Sequence, residues 1–433
     1  MNIILLSGGS GKRLWPLSND IRSKQFIKIF KTEDNKYESM IQRVYRQIRS
    51  VDSDAIVTIA TSKSQVSTIH NQLGEEVGIS VEPCRRDTFA AIALATAYLH
   101  DIKGVDSEEA VVVCPVDPYV GDDYFKCLEK MCEVAQKGDD NLVLMGIEPT
   151  YPSEKYGYIK PLKDGKYAFT EKPDSITAER YISEGALWNG GVFAYKLSYV
   201  LEKSKMLLGA SDYDSLFSAY DKIKKISFDY AVVEQETSIE VVSYDGEWKD
   251  LGTWNTLTEA MEDSILGDGR LNDNCTNVHV INELDIPIIG MGLHDVVISA
   301  SPEGILVSDK EQSSYIKPYV DELDQQVMFA EKSWGSYQVL DIEDESITVK
   351  VTLNPGHMMN YHSHDRRDEV WTVTSGTGKT IVEGMEQLVK VGDVVTMEAG
   401  CKHTIIAGKS GLQLIEVQLG RDISVKDKHK FEL

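Results

Sequence analysis

Residues 3–26, IILLSGGSGKRLWPLSNDIRSKQF, restrict what this chain can be more than any other stretch. Four apolar residues in a row, Ile3 to Leu6, read as a strand buried on both faces, as in a parallel sheet. The Ser7-Gly8-Gly9-Ser10-Gly11 that follows is too rich in glycine for an ordinary connection and lets backbone N–H groups approach a ligand. Lys12, Arg13 and Lys24 set cations beside those donors, so the chemistry on offer is the binding of several phosphate oxygens at once. No Gly-Lys-Ser/Thr stands at the spacing of a Walker loop, and Leu14 occupies the place of the third glycine in a dinucleotide fingerprint. Taken alone, the loop has a competing account as a tight strand-to-helix turn.

At 433 residues the chain is long enough for two or three cores of about 100–200 residues each. No apolar run approaches the roughly 18 residues that span a bilayer, and residues 1–6 lack the charged start and long core of a signal peptide. A cytoplasmic protein with no membrane partner is expected. Cys84, Cys114, Cys127, Cys132, Cys275 and Cys401 show no CxxC pair and are expected to be reduced and mostly buried. The net charge of −24 argues against a nucleic-acid partner, which needs Lys and Arg clustered over an extended face. An anionic small molecule must therefore meet a local basic pocket, with metal ions screening the rest.

After the glycine loop, strand-like and helix-like segments alternate, the pattern of a doubly wound sheet. Ala55–Ala60, Ala110–Cys114 and Leu142–Met145 read as strands, and the alanine-rich Phe89–His100 as a helix capped by Asp87 or Thr88. Three stretches fall beyond the carboxyl ends of strands, where ligands of such sheets sit: Ser7–Arg13, Glu82–Thr88 and Pro115–Pro118.

GGSGKRLWPLS with SKQF, EPCRRDT, PVDPYV, TEKPD, WNGGVFAY, SFDYAVVE and WKDLGTW follow one another in that order over residues 1–260. This set resembles the mannose-1-phosphate guanylyltransferase branch of the sugar-phosphate nucleotidyltransferases. The resemblance implies that Gly8, Gly9, Gly11 and Arg13, with Ser7, Ser10 and Lys12 of the same loop, hold the nucleotide phosphates. It implies further that Lys24 contacts the phosphates at the reacting centre and that Asp117 and Asp250 hold Mg2+. Glu82, Arg86 and Thr88 are expected on the nucleotide, and Gly157, Glu171, Lys172 and Asn189 on the sugar phosphate. Asp229 either meets sugar hydroxyls or starts a helix; likewise, Trp188–Gly191 either reads a hydroxyl or forms an interior turn. The chain departs from the family in two places. Val116 and Pro118 flank Asp117 where the family usually has Ser and His, and Asp87 stands in an Arg-Asn-Thr position, exchanging an amide donor for an acceptor.

The residues support that chemistry on their own terms. A sugar 1-phosphate is already largely dianionic at neutral pH and needs no dedicated base to attack the α-phosphorus of a triphosphate. What it needs is charge neutralisation: backbone donors, an Arg, a Lys and a divalent ion.

From about residue 265 to 325 the text turns to short β pieces, which the resemblance assigns to a small β-helix-like connector. Beyond it, Gly356, His362, His364, Glu369 and Gly376 match the first cupin motif, and Gly392, Gly400 and His403 most of the second. His362, His364, Glu369 and His403 could hold Zn or a transition metal such as Fe, Mn or Ni. In bifunctional relatives this domain is a mannose-6-phosphate isomerase. Here His362 replaces their usual glutamine, Arg366, Arg367 and Lys402 could anchor a phosphate, and no base is identifiable, so a working isomerase is not expected.

The expected fold is therefore α/β, a doubly wound, mostly parallel, Rossmann-like sheet over residues 1–265, a connector over 266–325 and a β-barrel cupin over 326–433. The expected partners are a nucleoside triphosphate, GTP by resemblance, and a hexose 1-phosphate, mannose 1-phosphate by resemblance, with a homo-oligomer, a dimer, as the assembly. Another base or sugar, or a vestigial nucleotide-sugar sensor, remain the alternatives.

Overall fold

The structure is a computed structural model that describes all residues except Ser10, Gly11, Asp20, 163–165, 324–325 and 425–426. The expectations placed on Ser10 and Gly11 thus lie outside the described residues. The chain divides into two compact units. One comprises Met1–Ser10, Lys24–Val66 and Glu76–Glu262; the other comprises Gly11–Ser23, Ser67–Glu75 and Asp263–Leu433.

The first unit is built on a nine-stranded sheet. Strands Gly78–Glu82, Ile56–Ser62, Asn2–Ser7 and Ala110–Pro115 lie in that order, all parallel. Strand Leu187–Lys196 enters antiparallel beside Ala110–Pro115 and also pairs with Leu142–Ile147 and Tyr158–Pro161, which makes the sheet mixed. Ile3, Ile4 and Leu5 are fully buried, as a run without alternation requires. Helix Thr88–Ala97 has nine buried residues among its ten, and its Phe89, Ile92 and Ala95 share one core cluster with Ile4, Val111, Val113 and Phe193. Asp87 stands at its N-cap with φ +71° and accepts from the Thr88 N–H at 2.8 Å.

In the second unit, the stretch from Asp263 opens with stacked parallel pairs, Ile265–Leu266 on His279–Asn282 on Val296–Ser301, and Gly269–Leu271 on Ile288–Gly290. That stacking is a short β-helix. A curled antiparallel sheet follows, in which Asp368–Val382 and His403–Leu419 pair along almost their whole length. Its interior holds Val349, Val351, Trp371, Val373, Leu412 and Leu414, each buried. Alternating burial along Ser346–Leu353 shows one face inward and one outward.

Candidate functional site

The carboxyl ends of the parallel strands sit side by side, because register pairs Ser7 with Thr61, Ser62 with Glu82 and Leu6 with Pro115. Ser7 is fixed there by neighbours: Gln25 Nε2 donates to its hydroxyl at 3.0 Å, and Thr61 Oγ1 donates to its carbonyl at 3.2 Å. Gln65 Oε1 accepts from Thr61 at 2.7 Å and completes this buried polar knot. Gln25 and Gln65 escaped the sequence reading, since polar core residues carry no periodic signal. Beyond Ser7, Gly8 and Gly9 are exposed, and a Cβ on either would meet nothing within 4 Å. Gly9 has φ +104°, a conformation only glycine adopts without strain.

Asp117 lies between strands Ala110–Pro115 and Pro118–Val120, and Asp250 ends strand Trp248–Asp250. The last two strands pair antiparallel with Asp250 opposite Pro118, which draws two carboxylates from distant sequence to one place. Lys24, at the head of a 3-10 turn, puts Nζ 2.8 Å from Asp117 Oδ2 and 3.7 Å from Asp250 Oδ1. All three side chains keep part of their surface open to solvent.

The expected sugar-phosphate residues also gather. Asn189 Nδ2 donates to Asp229 Oδ1 at 2.7 Å, and the Asn189 N–H donates to the Gly157 carbonyl at 2.8 Å. A Cβ on Gly157 would lie 2.6 Å from Glu171 Oε2 and 2.7 Å from the Phe169 ring, so glycine is needed for their close approach. Glu171 is paired with Lys172, whose φ is +45°. Burial, and then the charge of Glu171, push the Asp229 carboxyl up to about 6 against the opposing bond from Asn189. Of the two accounts of Asp229, the helix start is seen directly: it lies in the first turn of helix Phe228–Ala231, capped by Ser227. Residues 188–191 are no interior turn: they belong to strand Leu187–Lys196, with an irregularity between Asn189 and Phe193.

Tyr156, which the sequence reading missed, packs its ring 5.0 Å from Trp188 and 5.5 Å from Trp248. Burial, then the charges of Tyr151 and Asp250, raise its phenol, so it acts only as a neutral hydroxyl. Trp188 Nε1 and Trp248 Nε1 are buried donors without a partner among the described residues. The dense aromatic text around Tyr151, Tyr156 and Tyr158 was the available signal.

The expected nucleotide residues of the second stretch, Glu82–Thr88, are engaged with protein. Glu82 accepts from the Tyr220 hydroxyl at 2.7 Å, and burial raises its carboxyl. Arg86 donates to the carbonyls of Tyr220 and Asp221, and Thr88 Oγ1 accepts from the Phe228 N–H at 2.8 Å. Lys12 and exposed Arg13 fall in the second unit, in the turn Lys12–Leu14, where Lys12 Nζ meets Asp321 Oδ1 at 2.9 Å.

In the barrel, His362, His364, Glu369 and His403 converge with their ligand atoms all within 4.8 Å of one another, each side chain buried. The three imidazole Nδ1 atoms face the carbonyls of Asn360, Asp427 and Cys401, at 2.6 Å for His362 and 2.9 Å for His403. A carbonyl only accepts, so each Nδ1 carries a proton, the tautomer in which a neutral imidazole offers its Nε2 lone pair. Burial, then the nearby Lys428 and His403, push His362 down to about 2, so it is neutral. Glu369 sits between two of the rings, Oε1 3.0 Å from His364 Nε2 and Oε2 3.2 Å from His403 Nε2, all of them buried. Converging lone pairs of this kind suit a cation, and the cluster could hold a metal ion. Arg367 lies against it, donating to Glu369 Oε1 at 2.9 Å, to His364 Nε2 at 3.0 Å and to the Ser424 carbonyl at 3.2 Å.

A glycine loop at a strand end, two carboxylates drawn together from distant sequence and a polar cluster around Asn189 and Asp229 thus lie in a stretch, residues 2–265, that matches the family model described as Nucleotidyl transferase. The chain belongs to the nucleotidyl transferase family. Residues 321–433 match a second model, described as Mannose-6-phosphate isomerase C-terminal. Among curated relatives, the chain is similar to mannose-1-phosphate guanylyltransferase of Escherichia coli (strain K12), 27% identical over 99% of this chain and 97% of that one. It is similar also to xanthan biosynthesis protein XanB of Xanthomonas campestris pv. campestris, 30% identical over 99% and 97%. Among solved structures, that of mannose-1-phosphate geranyltransferase from Thermus thermophilus is 28% identical with a TM-score of 0.62, covering 75% of this chain and 99% of that one.

Proposed function

We propose that residues 1–265 transfer a guanylyl group from GTP to mannose 1-phosphate, releasing pyrophosphate and GDP-mannose, with 266–325 as connector and 326–433 as cupin. The observation that carries this reading is Lys24 set between Asp117 and Asp250 at the rim where the parallel strands end. The similarity to the E. coli enzyme, whose name states sugar and base, supports the choice of substrates.

A phosphate oxygen of the sugar 1-phosphate forms a bond to the α-phosphorus as the bond to pyrophosphate breaks in line, so the departing electron pair goes to pyrophosphate. No proton has to be taken up by a protein base. Backbone donors of the Gly8-Gly9 loop, Lys24 and Arg13 neutralise the phosphates, and Asn189 with Asp229 orients sugar hydroxyls. Asp117 and Asp250 fit magnesium, whose octahedral shell takes one or two carboxylates and completes itself with phosphate and water. When bound it lowers the cost of bringing two polyanions together. Pyrophosphate release on mixing the purified chain with GTP, mannose 1-phosphate and Mg2+ tests the reading.

For the barrel, the reading is metal retention without isomerase activity. Of the three cations singled out in the sequence as phosphate anchors, two are engaged with protein: Arg367 with Glu369 and His364, and Lys402 with the Phe431 ring at 4.3 Å. Zn or a transition metal suits three imidazoles and one carboxylate. A cytoplasmic setting is supported by six free cysteines; no helix of the described residues is long and apolar enough to cross a membrane.

A further inference from the structure

Among the described residues of the second unit, the segment that carries Arg13 is held by side chains of the β-helix and by the strand that opens the barrel. Arg22 makes a bidentate pair with Glu283, Nη1 to Oε2 at 2.7 Å and Nη2 to Oε1 at 2.8 Å, and its guanidinium lies 5.2 Å from the Phe329 ring centre. The Arg22 side chain is only 8% exposed. Asn19 Oδ1 accepts from the N–H groups of Ile21 and Arg22 at 2.8 and 2.6 Å, closing a turn within the segment. Its amide donates to Glu303 Oε1 at 2.8 Å and to the Phe329 carbonyl at 3.0 Å. Glu303 is itself buried and accepts from the N–H groups of Met328 and Phe329 at 2.9 and 3.1 Å. Ser301 Oγ donates to the Pro16 carbonyl at 2.6 Å. A Cβ on Gly304 would lie 2.5 Å from the Trp15 ring, so that ring rests directly on connector backbone.

These contacts have one thing in common. Downstream of Gly8 and Gly9, the segment is fixed at Trp15, Pro16, Asn19 and Arg22 by four residues of the connector, Ser301, Glu303, Gly304 and Glu283. Fork-to-fork geometry and burial make the Arg22–Glu283 pair directional as well as strong. We infer that Glu283 and Glu303 are positioning residues for nucleoside triphosphate binding, acting through Asn19 and Arg22 on the stretch that presents Lys12 and Arg13. The inference rests on the proposed nucleotidyl-transfer reading and adds to it that the connector, which bears no reacting group, is a working part of the triphosphate site.

The test uses full-length Glu283→Ala, Glu283→Asp and Asn19→Ala, with the wild type as reference. The KM for GTP and the dissociation constant of Mg-GTP by calorimetry are expected to rise about tenfold in Glu283→Ala and Asn19→Ala, a loss of about 1.4 kcal/mol. The KM for mannose 1-phosphate should stay within about twofold, and Glu283→Asp, which keeps a carboxylate, should recover most of the affinity. Wild-type GTP affinity in both alanine variants, or equal weakening of both substrates alongside an early thermal transition, overturns the inference. Gly304→Ala, which presses on Trp15 without touching any charge, is a second variant: unchanged GTP affinity in it with a normal melting temperature counts against the inference. If the wild type releases no pyrophosphate, the functional reading fails, and calorimetry with Mg-GTP alone still decides the positioning claim.

Discussion

Asn189 Nδ2 donates to Asp229 Oδ1 at 2.7 Å, which joins the middle of a sheet strand to the first turn of a short helix across 40 residues of sequence. The carboxylate so held has its pKa pushed up to about 6, by burial first and then by Glu171. A carboxyl whose folded value exceeds its unfolded value of about 3.9 costs stability on ionising, and the cost grows as pH rises from about 4 through about 6. Asp229→Asn is therefore expected to melt no lower than wild type at pH 7. Binding has the opposite sign, because only the ionised form accepts from sugar hydroxyls with both oxygens. The KM for mannose 1-phosphate should rise as pH falls below about 6, and Asp229→Asn should show a raised KM without that upturn. A thermal melt and a KM profile from pH 5 to 8 check both.

Gly157 tests the same cluster by shape. Its Cβ would stand 2.6 Å from Glu171 Oε2 and 2.7 Å from Phe169, so Gly157→Ala must displace one of them. Overpacking of this kind costs about 1–3 kcal/mol. The expected outcome is a KM for mannose 1-phosphate raised about tenfold or more with the KM for GTP little changed; parallel changes in both would contradict the placement of Gly157 on the sugar side.

Lys24 lies between two acids and is proposed to face phosphate during the reaction. Lys24→Met keeps the bulk and removes the charge. Loss of one well-placed donor to developing charge costs about 10²–10³ in kcat. Steady-state rates at saturating GTP and mannose 1-phosphate are expected to fall by about that factor, with a melting temperature close to wild type because the ion pairs are solvent-exposed.

The barrel makes a separate prediction. His362, His364, Glu369 and His403 present converging lone pairs, so the purified chain is expected to carry about one equivalent of Zn or a transition metal by elemental analysis. His364→Ala should lose most of it, and pyrophosphate release should not change. Incubation with fructose 6-phosphate should yield no mannose 6-phosphate, given the commitments of Arg367 and Lys402; appearance of that product would refute the reading of the barrel.

Much of this architecture is legible in local text. Ile3–Leu6 announces a buried strand by lacking alternation, and a cupin is readable from His362, His364, Glu369 and His403 because their spacing follows from strand geometry. What local text hides is who pairs with whom. Strand Leu187–Lys196 runs against its neighbours, and Gly190 and Gly191, for which an interior turn is one of two accounts in the sequence, lie at a strand irregularity beside Asn189. The guanidinium of Arg86 donates to the carbonyls of Tyr220 and Asp221, a long-range partnership no motif encodes. The knot of Ser7, Gln25, Thr61 and Gln65 and the hold of Glu283 on Arg22 were invisible for the same reason.

The central claim is that Asp117 and Asp250, joined at one place by the pairing of two short strands, hold the cation on which phosphoryl chemistry here depends. Its most direct test is pyrophosphate release from GTP and mannose 1-phosphate by wild type, Asp117→Ala and Asp250→Ala, titrated with Mg2+. The expected result is release by wild type that requires Mg2+ and a rate at least about 10²-fold lower in each variant at every Mg2+ concentration. Release by either variant at the wild-type rate, with the wild-type Mg2+ dependence, would contradict the account.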